Sequence, residues 1–160
     1  MWSATPPGVK ILFMTATTQT SHIPAELRQA LDRYHSATLA IGHGDPEPYM
    51  RLWSRAPDVS LFGAWGPCKQ GWDQLSRTFR WVASRFTGGD LISEELLVTV
   101  NGDLAYTVGY EKGRMSVDGA EPVQEAVRVT QVYRREDGEW RLVHRHGDFA
   151  PIDQSAGKLD

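Results

Sequence analysis

The sequence predicts an α+β fold: three helices packed on a strongly curved, mainly antiparallel sheet that closes as a cone-shaped barrel. Three observations predict it. Before residue 90, apolar side chains recur at spacings of three and four, as on one face of a helix. After it, the chain reads as long strands. The dipeptides Asn101-Gly102, Asp118-Gly119 and Asp137-Gly138 separate those strands, and such pairs favour the tight turns of hairpins. Helices set apart from consecutive antiparallel strands give an α+β domain rather than a doubly wound sheet.

The elements follow in order. Residues 1–22 carry Pro6, Pro7, Gly8 and many Thr and Ser, and are expected to be a flexible tail. Within it, Ile11 to Met14 is too short to span a membrane, and the polar stretch after it has no cleavage site, so the reading is a loose leader with Met14 as the natural initiator. A helix is expected over 24–41, where Leu27, Leu31, Tyr34, Thr38 and Ile41 make one face, Pro24 opens the first turn and Gly42 and Gly44 close it. A short helix follows from Asp45-Pro46 through Trp53, then a short strand at 58–62 and a Gly-rich loop. The third helix starts near Gly71 with the stripe Trp72, Leu75, Phe79, Val82 and Phe86, and Gly88-Gly89 ends it. Strands at 91–100, 104–117 and 123–135, and a last one running to about His146, form a meander. The domain covers 23–150, and 151–160 is a second tail.

Composition narrows the function classes. A chain of 160 residues with 41% hydrophobic and 23% charged side chains is one ordinary globular domain. A net charge of −3 with scattered arginines gives no electrostatic footprint for nucleic acid, and no apolar run is long enough for a membrane. Cys68 is the single cysteine, which excludes an internal disulfide and a cysteine metal cage and suits a cytoplasmic protein. No cofactor motif is present: the Gly-rich stretches at Gly42 to Asp45 and Asn101 to Asp103 lack phosphate-cradle spacing and read as turns.

The last strand carries the densest chemistry. Strict alternation puts Trp140, Leu142, His144, His146 and Asp148 on one face, apolar at one end and ionisable at the other, like the wall of a pocket. The same alternation groups Arg128 with Thr130 and Val132, and leaves Val127, Val129, Gln131 and Tyr133 on the opposite face.

The chain resembles the nuclear transport factor 2-like superfamily, in its SnoaL-like branch, over roughly residues 25–150. The resemblance rests on LDRYHSATLAIGHGDPEPYMRLWS, the Gly-Trp start of the third helix, NGDLAYTVGY, and VRVTQVYRREDGEWRLVHRHGD, whose Trp-Arg, Val-His, His/Asp ending is the most specific part. It implies a cone-shaped, usually dimeric domain. Relatives include ketosteroid isomerases, cyclases, dehydratases, epoxide hydrolases and non-catalytic binding or assembly modules, so fold alone leaves the activity open. Where the isomerases carry a general-base Asp, this chain has Leu61-Phe62-Gly63-Ala64; where they carry a protonated Asp on the penultimate strand, the nearest residue is Thr130; Tyr34 stands near their oxyanion tyrosine. The resemblance thus disfavours the standard isomerase chemistry.

Two functions stay open: a small-molecule-binding domain, non-catalytic or of unassigned activity, and a cofactor-independent isomerase, dehydratase or cyclase. In the second, His144 or His146, oriented by Asp148, moves a proton. The alternative is that His144 makes a structural hydrogen bond while His146 and Asp148 cap the strand end. The H-x-H-x-D string resembles half of the metallo-β-lactamase motif, but Phe149 follows and no further ligand cluster exists, so no metal is expected. In the family register Arg128 points into the cone, either clamping an anionic or carbonyl-containing ligand beside Thr130 or pairing with Glu94, Glu95 or Glu111. Trp65 either stacks on a ligand at the mouth or packs as a lid on the first helix. Tyr34 either meets His144 or Arg128 inside the cone or is a plain core tyrosine. The valine-bearing face of Val127, Val129, Gln131 and Tyr133, continued by Arg141 and Val143, is expected outside as a homodimer surface.

Overall fold

The computed structural model describes residues 23–150. The expectations for the two tails, including Met14 as initiator, lie outside the described residues. Helix α1 (Ala25–Gly42) buries Leu27, Leu31, Tyr34, Thr38 and Ile41, the face that the spacing marks. Helix α2 (Glu47–Arg51) is short and follows Pro46. Strand β1 (Ser60–Phe62) hairpins with β2 (Cys68–Gln70). Helix α3 (Trp72–Arg85) buries Leu75 and Phe79, and Phe86, expected on its stripe, instead opens strand β3 (Phe86–Gly89). Neither β2 nor β3 is foreseen from sequence: β2 falls in the stretch read as a Gly-rich loop and β3 in the stretch read as the end of the third helix.

Four long strands follow: β4 (Ile92–Asn101), β5 (Leu104–Val117), β6 (Val123–Glu136) and β7 (Glu139–Phe149). They form one curled sheet in the order β2-β1-β7-β6-β5-β3, with β4 also on β5; β1 runs parallel to β7 and every other pairing is antiparallel. The helices fill the concave side. Their core is an aromatic chain in which Tyr49 lies 5.7 Å from Tyr34 and 5.2 Å from Phe79, and Trp53 lies 5.2 Å from Phe79. Such tilted and edge-on pairs are the favoured aromatic geometry.

Two bulges shape the sheet. On β4, Leu96 is an extra residue between the pairs Glu95–Gly109 and Leu97–Val108. There the backbones approach so closely that a Cβ at Gly109 would stand 2.0 Å from the Glu94 carbonyl oxygen, which only glycine permits. On β7, Val143 is an extra residue between the pairs Tyr133–Leu142 and Val132–His144.

The second bulge decides the site. A bulged residue shifts the alternation by one, and a one-residue shift moves every later side chain to the other face. Trp140 and Leu142 are buried as expected, but beyond Val143 the buried positions are Arg145 and Gly147. His144, His146 and Asp148 therefore face outward, which corrects the sequence reading. The neighbouring strand is corrected with them: Val127, Val129, Gln131 and Tyr133 are buried on the concave side, and Arg128 and Thr130 are exposed on the convex side. The homodimer surface expected on the valine-bearing face is thus the inner lining of the sheet.

Candidate functional site

The concave side encloses a half-open cavity of about 110 Å³. Its deep wall is Thr38, Ile41, Tyr49, Leu61, Phe79 and Val127, with Glu111 and Arg145 at the floor, and Trp65, Pro67, Phe86, Glu125 and Phe149 are partly exposed toward its rim. The two charged groups at the floor have a structural origin. Glu111 is an inward position of β5, where Ala105, Thr107 and Gly109 precede it and leave room for one long side chain. Arg145 is inward because of the Val143 bulge. It folds back over Gly147, where a Cβ would stand 2.6 Å from an Arg145 terminal nitrogen.

Arg145 and Glu111 form a buried ion pair with Nη2 donating to Oε2 at 2.7 Å. The Tyr34 hydroxyl donates to the other carboxylate oxygen of Glu111. Burial alone would lower the guanidinium pKa, but Glu111 and the tyrosines Tyr49 and Tyr34 offset it and hold Arg145 well above its ordinary value. Burial, reinforced by the Glu111 charge, pushes the Tyr34 hydroxyl well above the usual tyrosine range, and burial raises Tyr49 as well. Arg145 is therefore a permanent cation and both phenols stay neutral donors. The Arg145 Nε is buried without a hydrogen-bond partner. A second network, Thr107 and Tyr133 both donating to Gln131 Oε1 at 3.0 and 2.9 Å, lines the sheet beside it.

Glu125 stands apart from these networks. Desolvation raises its pKa.

The residues singled out from the sequence separate into two places. Trp65 lines the cavity; its ring packs 5.9 Å from Trp81 of α3 and 5.0 Å from Phe86, not on α1. Tyr34 sits behind the cavity floor, and its partner is Glu111 rather than His144 or Arg128. Arg128 makes a two-pronged pair with Asp148 on the convex face, at 2.9 and 2.5 Å, and its hydrogen bonds hold the Asp148 carboxyl below the usual range. His144 Nδ1 is 2.8 Å from the Ser60 hydroxyl, and burial followed by the charge of His146 lowers its pKa. Phe62 lies edge-on between the two imidazoles, 5.8 and 5.4 Å away. Thr130 lies on the same outer surface, where Leu96, Tyr110, Arg128, His146 and Asp148 form a shallow groove. No group of three or more His, Cys, Asp or Glu side chains among the described residues could hold a metal ion.

The sequence reading missed Arg145 and Glu125 and met Glu111 only as a partner for Arg128. One signal was available. Leu142-Val143 is an adjacent apolar pair inside an otherwise alternating strand, as Leu96-Leu97 is in β4, and both pairs sit at bulges.

Comparison with known proteins places this architecture. A dehydratase candidate of the NTF2-like family from Streptomyces avermitilis is 21% identical, with a TM-score of 0.68 over 79% of this chain and 95% of that one. A ketosteroid isomerase-like protein from Erwinia carotovora atroseptica is 19% identical, with a TM-score of 0.66 over 79% and 96%. A candidate calcium/calmodulin-dependent protein kinase type II association domain from Thiobacillus denitrificans is 21% identical, with a TM-score of 0.66 over 78% and 94%. At these identities the likeness is one of fold. No protein of curated function matches at a significant level. No helix among the described residues is long and apolar enough to cross a membrane. The SnoaL-like domain family matches residues 27–152, so the chain belongs to that family, and its fold is that of the NTF2-like structures.

Proposed function

We propose that the protein binds a small, compact, largely apolar molecule in the interior cavity, with an oxygen acceptor turned toward the floor. One observation carries this reading: Arg145 Nε is a buried charged donor left without a partner in a residue that lines the cavity. A buried donor of this kind costs free energy until an acceptor meets it, and a ligand supplies one. The volume of about 110 Å³ is below the roughly 150 Å³ of a closed cavity that takes up benzene, so a ring-sized ligand fits only with part of it in the open mouth. Benzyl alcohol is a suitable probe, followed through tryptophan fluorescence because Trp65 lines the cavity. Binding should saturate in the parent protein and disappear when Val127→Trp fills the cavity. Equal binding to the blocked variant would refute the site.

A second reading, a cofactor-independent isomerase, dehydratase or cyclase, draws support from Glu125. A desolvated carboxyl and a guanidinium lining one cavity can move a proton and stabilise the charge that develops. The test is deuterium uptake from heavy water by a small ring ketone, with a Glu125→Gln control. Uptake no faster than in buffer would end that reading.

We also propose a homodimer, through the face opposite to the one the sequence suggested. Phe62, Leu96, Leu97 and Tyr106 are 40–61% exposed, and an open sheet surface with such side chains is a patch that monomers seldom leave in water. Leu96→Glu should then shift sedimentation from dimer to monomer.

A further inference from the structure

We infer that the ligand of this cavity is a small organic cation, a compact apolar body that carries a protonated amine met by Glu125 as well as the oxygen acceptor that meets Arg145 Nε. The inference rests on the binding reading above and adds the sign of the ligand's charge.

The charges on the cavity wall do not balance. Three ionisable side chains of fixed sign line it: Glu111, Glu125 and Arg145. Arg145 is bonded to Glu111 at 2.7 Å, so their two charges cancel although Arg145 Nε keeps a donor to offer. Glu125 is left over. Its position explains why. It pairs across β5 with Gly113, which has no side chain, and the β6–β7 pairing ends at Val127–Phe149, so no β7 residue stands beside it. Among the described residues, no hydrogen bond or ion pair engages its carboxylate.

The rest of the wall suits a cation. Tyr49, Trp65, Phe79, Phe86 and Phe149 line the same cavity. Aromatic faces attract ammonium groups through the ring quadrupole, and a desolvated carboxylate beside them adds a full charge. The desolvation that raises the Glu125 pKa is the cost of an unmatched anion, which a bound ammonium removes. An anionic ligand would meet the same carboxylate and be repelled. This reverses the anionic expectation, which depended on Arg128 pointing inward.

Three probes of one shape and different charge test the inference: benzylamine, benzyl alcohol and benzoate, each titrated near neutral pH by calorimetry. Benzylamine should bind at least about tenfold more tightly than benzyl alcohol, a difference of about 1.4 kcal/mol. Benzoate should bind most weakly. Glu125→Gln should abolish the preference for benzylamine over benzyl alcohol, and circular dichroism reports that the variant is folded. A second measurement needs no variant: a carbon NMR titration should show the Glu125 carboxyl pKa falling with benzylamine and not with benzyl alcohol. Equal or tighter binding of benzyl alcohol by the parent protein would overturn the inference and leave the pocket reading standing. Failure of all three probes would overturn both.

Discussion

Replacing Arg145 with Met tests the interior directly. Arg145 is 9% exposed and Glu111 6% exposed, so the pair lies out of water. Removing one member of a buried pair leaves the other charge unmatched and costs about 3–5 kcal/mol. Here Arg145→Met strands Glu111 with the Tyr34 hydroxyl as its remaining donor. For a domain of this size about 2–4 °C of melting temperature corresponds to each kcal/mol, so the fall is about 6–20 °C. The control is Arg128→Met, which breaks the Asp148 pair on the open face and should leave the melting temperature essentially where it was. The double variant Arg145→Met with Glu111→Leu removes both charges and should recover more than half of the loss, because the penalty is the stranded carboxylate rather than the missing bond. Thermal melts followed by circular dichroism decide it. An Arg145→Met protein melting within about 2 °C of the parent would refute the buried pair, since that is less than one kcal/mol.

Deleting Val143 should return His144, His146 and Asp148 to the concave side and expel Arg145, so the deletion protein should lose its cooperative melting transition; a sharp melt near that of the parent would refute the bulge as the device that sets the site. The His144 pKa is lowered from 6.5 by burial, so the folded state favours neutral imidazole. Stability from this group is present above the unfolded pKa and is lost as pH falls through it toward the lower folded value; His144→Gln should flatten the melting temperature across that window. Glu125 has the opposite sign, because its folded pKa is raised. Its contribution is present below the unfolded pKa and is lost as pH rises through the folded one, so Glu125→Gln should raise the melting temperature at neutral pH and leave it unchanged in acid.

The fold was largely legible. The buried faces of α1 and α3 follow from a 3.6-residue period, apart from Phe86, which opens β3, and three turn dipeptides place the turns between β4 and β7 within a residue or two. The site was legible in part. Trp65 is on the cavity wall and Tyr34 behind its floor, because helix faces and loops do not depend on sheet register. The inward placement of His144, His146, Asp148, Arg128 and Thr130 failed, because it depended on unbroken alternation along β7 and on a borrowed register for β6; the alternative, a structural hydrogen bond for His144 with His146 and Asp148 at the surface, agrees with their positions.

The sequence by itself determined the class of fold, the order of its elements and the apolar faces of its helices, since local periodicity and turn chemistry are properties of neighbouring residues. The tertiary structure decided which charged side chains are enclosed. A strand's period of two fixes which residues share a face but not which face is the inside, and a single extra residue at Val143 exchanges the two. The pairing of Arg145 with Glu111 spans 34 positions and joins two strands that do not touch in the sheet. No local pattern encodes such a contact; it forms because the sheet curls and the bulge turns one guanidinium inward.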